Sequence, residues 1–445
     1  MSVKGLCRCL MGPCAALCLC FGQTSPPLLK LEEALALARK QNAQVQIGAL
    51  DVDKAVEETN QLKTERLPVF KVYANVGESL LPINLTIPAG ALGSFAATGP
   101  VPAQAATIKT PQQATGILYG TLGQPITQLY KIGLGLKAAR LAEELAREKA
   151  RQQTQDTAQQ VKQAYFQLAQ LQSQIAAAEE NLHYLIELQA FRDRNLAQET
   201  VLKSDSLSVK AKLSQQNYQL VVLRDHLETQ KEALNRLLGR DLRTNFMTEA
   251  EPAPASDELN LEAAQNKALA QRPEIRQARL QIEKSEMDVR RERAEYLPDI
   301  SAQVSYLSFP NVSFFPKNIV LAGVTLEWQP FDWGEKRHKL SELRSSSKQS
   351  ALSEHDAEQQ ILLDVNNRYR TLAEARAVLA VDAAAQDVER EKLRVLTNRY
   401  KEKAALLTDV LQEQSALAQA DAQYQQDLAS FWTAKANFER ALGEQ

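Results

Sequence analysis

After residue 20 the sequence contains no cysteine, and two long stretches of it contain no proline. All five cysteines lie in the first 20 residues, and residues 126–251 and 331–445 hold none of the 17 prolines. Glycine is nearly absent from the same two stretches. Because proline and glycine end or weaken helices, their absence predicts very long helices. Without cysteine, this part of the chain has neither disulfides nor thiol chemistry.

The sequence also lacks the patterns of enzymes, metal sites and nucleic-acid-binding proteins. Its four histidines are scattered without metal-ligand spacing, and it has no nucleophile elbow, phosphate loop or dinucleotide fingerprint. The 52 basic and 54 acidic residues are interspersed, and no basic stripe is formed. We therefore expect no catalytic residue, no metal, no cofactor and no nucleic-acid partner.

The first 22 residues have the pattern of an export signal peptide. Lys4 and Arg8 precede an apolar run, and small residues permit cleavage after residue 22. Acylation of a cysteine is the alternative, although Cys14, Cys18 and Cys20 lack the small preceding residue that it requires. Beyond this segment no apolar run reaches the 18 or more residues of a transmembrane helix.

Most of the remaining sequence is present twice. Residues 29–68 align without a gap with residues 259–298, and Gln124-Pro125 returns as Gln329-Pro330. Later pairs at a shift of 204 include Val161 and Val365, Tyr165 and Tyr369, Asp205 and Asp409, and Gly239 and Gly443. This ordered series predicts a tandem duplication, with repeats at 23–243 and 258–445 and a linker at 244–257.

Each repeat shows the same order of predicted elements: helix, strand, strand, very long helix, long helix. The opening helices run from about 30 to 66 and from about 258 to 296, and each ends before a proline. In the first repeat the long helices span about 136–196 and 202–240 and carry coiled-coil spacing. Such helices cannot bury their apolar stripes alone, so they must pack against the other repeat and against other chains.

The strands are predicted from alternation of apolar and polar residues. They span about 69–80 and 115–124 in the first repeat and 299–308 and 318–329 in the second. A strand of about ten residues matches one tilted bilayer crossing. The same alternation is typical of half-buried strands in soluble sheets, and taken alone it favours that reading.

Two further places are candidates for function. Trp328, Phe331 and Trp333 lie where a strand passes into a helix, a pattern that fits either a membrane–water interface or core packing. Asp205 and Asp409 lie at the turns between the long helices. An aspartate there can cap a helix, and copies of it in an oligomer could instead surround a narrow opening.

The duplicated order, the two proline stops, the Gln-Pro strand ends and the terminal Leu-Gly of each repeat resemble the TolC family of outer-membrane efflux channels. The resemblance implies a mainly α fold with a membrane β-barrel portion. Three copies would each give four strands to one 12-stranded barrel and their helices to a coiled-coil tunnel in the periplasm. It further implies passive export, with a periplasmic adaptor (membrane fusion) protein coupling the channel to an inner-membrane RND or ABC pump in a tripartite efflux or type I secretion system.

The resemblance also implies a gate at the far end of the tunnel. A family contact between a tyrosine and an aspartate matches Tyr400 and Asp205, and the aspartate ring at the family's aperture matches Asp409. An arginine seen at the turn in some members is Ala405 here, and a second aperture acid falls on Gln412. The alternative is a periplasmic coiled-coil adaptor or scaffold without a pore, which would have a single hairpin or strands with charged outer faces.

Overall fold

The structure is a computed structural model that describes residues 27–78, 80, 84–109, 114–196, 203–249, 260–310, 316–402 and 404–444. The predicted signal peptide and residues 250–257 of the predicted linker lie outside this part of the chain. The helices are α1 (Leu31–Gln41), α2 (Ala43–Thr64), α3 (Gln128–Leu196), α4 (Lys203–Leu238), α5 (Leu261–Gln271), α6 (Pro273–Ala294), α7 (Glu335–Lys401) and α8 (Leu407–Ala441).

The strands fall into one four-stranded sheet and three short two-stranded pairs. They are β1 (Leu28–Leu29), β2 (Val69–Glu78), β3 (Asn84–Ile87), β4 (Ser94–Phe95), β5 (Gly99–Pro100), β6 (Ala106–Lys109), β7 (Ala114–Pro125), β8 (Met247–Thr248), β9 (Asp299–Ser308) and β10 (Asn318–Glu327). The four main strands lie within one or two residues of the bounds expected from alternation. The predicted order of helices and strands is confirmed in both repeats.

Each opening helix was predicted as a single helix, and this prediction is wrong. The first is broken at Asn42 (ψ 129°) and the second at Arg272 (ψ 131°), both in extended conformation. The end of a later helix meets each break: Gly239, after α4, has φ +71°, and a Cβ there would lie 2.3 Å from the carbonyl oxygen of Gln41. Gly443, after α8, has φ +82° and approaches the second break in the same way.

The helices pack side by side in one layer. Near the sheet the order is α2–α3–α6–α7. Beyond the two breaks α4 takes the place of α2, and α8 takes the place of α6, so the order becomes α4–α3–α8–α7. The long helices α3 and α7 run through both regions, which explains why their sequences contain almost no helix breakers.

The buried core lies at the level of the breaks, where α1 packs on α3 and α5 packs on α7. One cluster belongs mostly to the first repeat and includes Val161 and Leu168; the other belongs to the second and includes Val365 and Leu372. Trp432 of α8 packs against both clusters, with ring centroids 6.0 Å from Phe166. The two repeats therefore share one continuous core.

The four-stranded sheet is antiparallel throughout, in the order β10–β9–β7–β2. Among the described strands β2 pairs only with β7 and β10 only with β9, so these two strands form the edges of the sheet. Of the short pairs, β3–β6 and β4–β5 lie in the connection between β2 and β7. The sheet projects from the helical layer at the end opposite the helical turns.

Candidate functional site

One face of the four-stranded sheet is apolar and exposed. Phe70, Leu122 and Val304 are partners in consecutive ladders, so their side chains lie on the same face. The exposed apolar residues of this face are Phe70, Val72, Val76, Leu118, Leu122, Val304, Tyr306, Val320, Val324 and Leu326. A sheet of a soluble domain would cover such a face. The expectation of a half-buried sheet, which alternation alone favoured, is therefore wrong.

The opposite face of the sheet carries most of its polar side chains. They include Lys71, Tyr73, Asn75, Tyr119, Thr121, Ser301, Gln303, Ser305 and Thr325. This face also carries the apolar residues Val69, Ile117, Leu307, Ile319 and Leu321, so the separation of apolar and polar side chains is clear in β2 and β9 and weaker in β10. This is the distribution expected when one side of a sheet contacts lipid and the other contacts water.

The predicted interface aromatics lie between β10 and α7, on the surface of the chain. Phe331 and Trp333 pack edge to face with ring centroids 4.8 Å apart. Trp333 is 89% exposed, which excludes core packing within this chain. The turn holds it outward: Trp333 has φ 56°, and Asp332 accepts hydrogen bonds from the backbone N–H groups of Gly334 and Lys336 at the start of α7.

A set of polar contacts fixes the sheet to the helices. Lys131 of α3 forms ion pairs with Glu295 at 3.0 Å and with Asp299 at 2.9 Å. Thr127 donates its hydroxyl to the carbonyl oxygen of Pro298 and accepts from the N–H of Ile300 at 2.7 Å. These contacts join the start of α3, which follows β7, to the start of β9. None of the described helices has an apolar stretch sufficient to cross a membrane.

Helices α3 and α4 form one helical hairpin, and α7 and α8 form the other. At the end of the molecule opposite the sheet, the two hairpins meet in a small apolar cluster. Val209 of α4 and Leu407 of α8 are buried there, with Tyr184 and Tyr400 packed against them. Burial raises the pKa of Tyr184, and the proximity of Tyr400 adds to the rise, against a hydrogen bond to Thr397. The predicted gate residue Tyr400 is therefore part of the contact between the hairpins.

The two aspartates at this end differ in what the structure describes. Asp409 is exposed in the first turn of α8, and its Oδ2 accepts from the N–H of Leu406 at 3.3 Å, as a helix cap does. Position 205 lies in α4, one turn before Val209, but its side chain is outside the described residues. No group of three or more histidine, cysteine, aspartate or glutamate side chains in the described chain is arranged to hold a metal ion.

The second repeat carries the signature of a known family. Residues 264–444 match the family model described as outer membrane efflux protein. This match covers most of the second repeat and less than half of the chain, so it shows a similarity to the family. The family is one of channels rather than enzymes, and nothing found supports the adaptor or scaffold alternative. No curated protein sequence matches the chain significantly.

Solved outer-membrane channels share the fold of this chain. CmeC of Campylobacter jejuni is 14% identical, with a TM-score of 0.75 over 93% of this chain and 85% of that chain. VceC of Vibrio cholerae is 16% identical, with a TM-score of 0.73 and coverages of 93% and 96%. MtrE of Neisseria gonorrhoeae, in its open state, is 14% identical, with a TM-score of 0.71 and coverages of 93% and 89%. The likeness extends over nearly the whole chain and confirms the fold class.

Sequence reasoning missed a buried ionic network at the second helix break. The side chain of Arg272 is 6% exposed and bonds Glu274 at 2.8 Å and Asp364 of α7 at 2.9 Å. Arg440 of α8 reaches Asp156 of α3 at 2.7 Å and Glu274 at 3.5 Å. The network therefore joins α3, α6, α7 and α8 where the helix order of the layer changes.

The network shifts the pKa values of its members. Burial alone would raise the pKa of Glu274, but the hydrogen bond and charge of Arg272, together with Arg440, lower it below its ordinary value. Burial would likewise lower the pKa of Arg272, and the carboxylates of Glu274 and Asp364 raise it instead. Both groups are thus held in their charged forms, as a paired buried ion must be.

At the first break a single asparagine replaces this network. The Nδ2 of Asn42 donates to the carbonyl oxygen of Leu237 at the end of α4, and its Oδ1 accepts from the N–H groups of Gln44 and Val45. The sequence does carry signals for both breaks. Asparagine is a preferred N-cap, and Pro273 is a preferred first residue of a helix.

Proposed function

We propose that three copies of the chain form one closed channel in the outer membrane, which serves as a passive exit duct for solutes. The observation that carries this proposal is the four-stranded sheet with an exposed apolar face, a polar face and two edge strands. Lipid would cover the apolar face, and the polar face would line a water-filled lumen.

The edge strands are complementary between copies. Strands β2 and β10 run in opposite directions, because each of the three ladders between them is antiparallel. Pairing β10 of one copy with β2 of the next therefore continues the antiparallel sheet. Three copies give twelve strands, and closure satisfies the backbone groups that no lipid could satisfy.

The helical layer also has edges suited to a neighbouring copy. In the region beyond the breaks the outer helices are α4 and α7. On α7, Val381, Val388 and Val395 recur every seven residues and are exposed, and on α4 Leu207 and Val221 are exposed. A seven-residue repeat of apolar side chains is the pattern of a coiled-coil contact. The α7 edge of one copy would pack on the α4 edge of the next, which is the same cyclic order as in the sheet.

The closed end of the tunnel would be held by the contact between the hairpins. Tyr400 would bond the carboxylate of Asp205, and Asp409 of each copy would face the aperture, as the family resemblance implies. Opening would separate the tips of the two hairpins and disrupt the cluster around Val209 and Leu407. A gate built from so small an apolar cluster needs only modest energy to open.

A periplasmic adaptor would supply that energy by binding between the hairpins. A groove of about 890 Å³ is lined by α3, α4, α7 and α8, with glutamines such as Gln216 and Gln414 beside apolar residues such as Leu223 and Leu417. Its mixed character suits a helical hairpin of an adaptor protein. The adaptor would connect the duct to an inner-membrane RND or ABC pump.

The test is the conductance of the protein in planar lipid bilayers, after extraction from outer membranes. The wild-type protein should give small, discrete current steps, and Tyr400→Phe and Asp205→Ala should each raise the conductance. Tyr218→Phe is the matched control, because Tyr218 is an exposed tyrosine of α4 outside the cluster. Unchanged conductance in both gate variants would remove these residues from the gate, and no conductance from any variant would contradict the channel.

A further inference from the structure

The polar face of the sheet carries a hydrogen-bonded strip without charge, formed by Tyr73, Tyr119, Gln303, Ser305 and Thr325. Tyr73 and Tyr119 are direct ladder partners, and their rings stack with centroids 6.0 Å apart and planes 22° apart. The Nε2 of Gln303 lies 3.5 Å from the Tyr119 hydroxyl and donates to Ser305 Oγ at 3.1 Å. Its Oε1 accepts from the Thr325 hydroxyl at 3.3 Å. We call this set the tyrosine strip, and it crosses all four strands.

The charges of the polar face lie on the helix side of the Tyr73–Tyr119 pair. Lys71 lies in the ladder row of Thr121 and Ser305, next to the row of the two tyrosines, and Asp299 and Glu327 lie nearest the helices. From the tyrosine pair to the far end, no described residue of this face in the four strands is acidic or basic. The side of the pair that faces away from the helices therefore offers ring faces and neutral polar groups to a solute.

We propose that the tyrosine strip is a contact site for aromatic solutes on their way through the channel. Tyr73 is 55% exposed, so a ring face is open to a passing solute. An aromatic solute gains an offset or edge-to-face contact there, and the Gln303 amide and neighbouring hydroxyls bind its polar groups. This inference rests on the proposed function, because the polar face lines a lumen only in the closed assembly.

The test is reversible block of the bilayer current by benzamide, which is aromatic and neutral. Cyclohexanecarboxamide tests the need for the aromatic ring. In the wild-type protein benzamide should block at a lower concentration than cyclohexanecarboxamide. The double variant Tyr73→Leu/Tyr119→Leu should raise the half-blocking concentration of benzamide about two- to tenfold, the factor expected for lost aromatic contacts.

Two variants serve as controls for this test. Tyr73→Phe/Tyr119→Phe keeps the rings and should keep most of the block. Tyr306→Leu removes a tyrosine of β9 from the apolar face and should leave the block unchanged. If the channel conducts but the double leucine variant is blocked like the wild type, the tyrosine strip is not a contact site. If no variant conducts, the channel proposal fails and the inference fails with it.

Discussion

Replacing Asn42 with alanine removes a side chain that joins two helices end to end. Its Nδ2 donates to Leu237 O at 2.7 Å in the last turn of α4. Its Oδ1 accepts from the N–H of Gln44 at 2.8 Å and of Val45 at 3.3 Å in the first turn of α2. Asn42 is 5% exposed, so water does not readily replace these bonds in the variant. Asn42→Ala should therefore loosen the end of α4 and the start of α2 together.

The size of the effect follows from the groups left without partners. Loss of an N-cap side chain costs about 0.5–2 kcal/mol. A buried carbonyl that loses its donor costs about 1–3 kcal/mol. The expected loss of local stability is then about 2–4 kcal/mol, near the middle of the combined range. At about 1.4 kcal/mol for each factor of ten, the local opening constant should rise roughly 30- to 700-fold.

Amide hydrogen exchange with mass spectrometry measures this opening directly, because protection reports local opening free energies. Peptides covering residues 43–50 and 233–240 should exchange faster in the variant by that factor, while peptides from α6 in the second repeat should not change. Asn60→Ala is the matched control, since Asn60 is a half-buried asparagine of α2 whose side-chain bonds, to Glu57 at 3.4 Å and from Lys63 at 2.9 Å, stay within its own helix. An acceleration below about threefold in both peptides would contradict the end-to-end cap.

Three further predictions concern the two helix breaks. Arg272→Met should destabilise the protein by about 1–3 kcal/mol, because Glu274 and Asp364 lose their closest partner and keep only their pairs with Arg440 and Arg368. The exposed pair of Arg276 makes Arg276→Met nearly neutral in the same thermal melts. Because the pKa of Glu274 is lowered on folding, its contribution is complete above its unfolded pKa of about 4.3 and is lost as the pH falls through the folded value. The melting temperature should thus drop below about pH 4.3, and less steeply in Glu274→Gln; equal slopes would exclude this carboxylate. Gly239→Ala should lower the melting temperature more than Gly334→Ala, since both glycines have positive φ but only the first lacks space for a Cβ; equal losses would show that the close approach is unimportant.

The architecture could be predicted because its causes are local and occur twice. The absence of proline and glycine gives the long helices, Pro68 and Pro298 end the opening helices, and the period-two pattern marks the strands. Each signal recurs at the same place in the second repeat, so a chance pattern in one repeat is corrected by the other. The order of elements and the four strand positions follow from these signals alone.

The helix breaks were missed because their decisive cause is a tertiary contact. Apolar spacing continues across position 42, from Ala38 to Val45, and periodicity therefore predicts one helix. The break exists because Gly239 occupies the space beside Gln41, and no local pattern encodes that approach. The cap signals of Asn42 and Pro273 were visible, but they carry less weight than a long periodic run.

The exposure of the sheet's apolar face also could not be predicted from local sequence patterns. Alternation shows that Phe70 and Val72 share a face, and it does not show what covers that face. The described helices pack mainly against one another and leave this face of the sheet exposed. At the tip, Tyr400 lies in the contact between the hairpins as a gate residue would, and Asp409 caps a helix within the single chain. The gate assignment of Asp205 stays a prediction.

The account rests on closure of the sheet between copies, and the mass of the particle extracted from outer membranes tests it most directly. Light scattering coupled to size exclusion, corrected for bound detergent, should give three times the mass of the mature chain, which is the 49.4 kDa of the full sequence less the signal peptide. The particle should be found in the outer-membrane fraction. A monomer or dimer recovered in soluble form from the periplasm would contradict the channel, because its apolar sheet face and both edge strands would then have no partner.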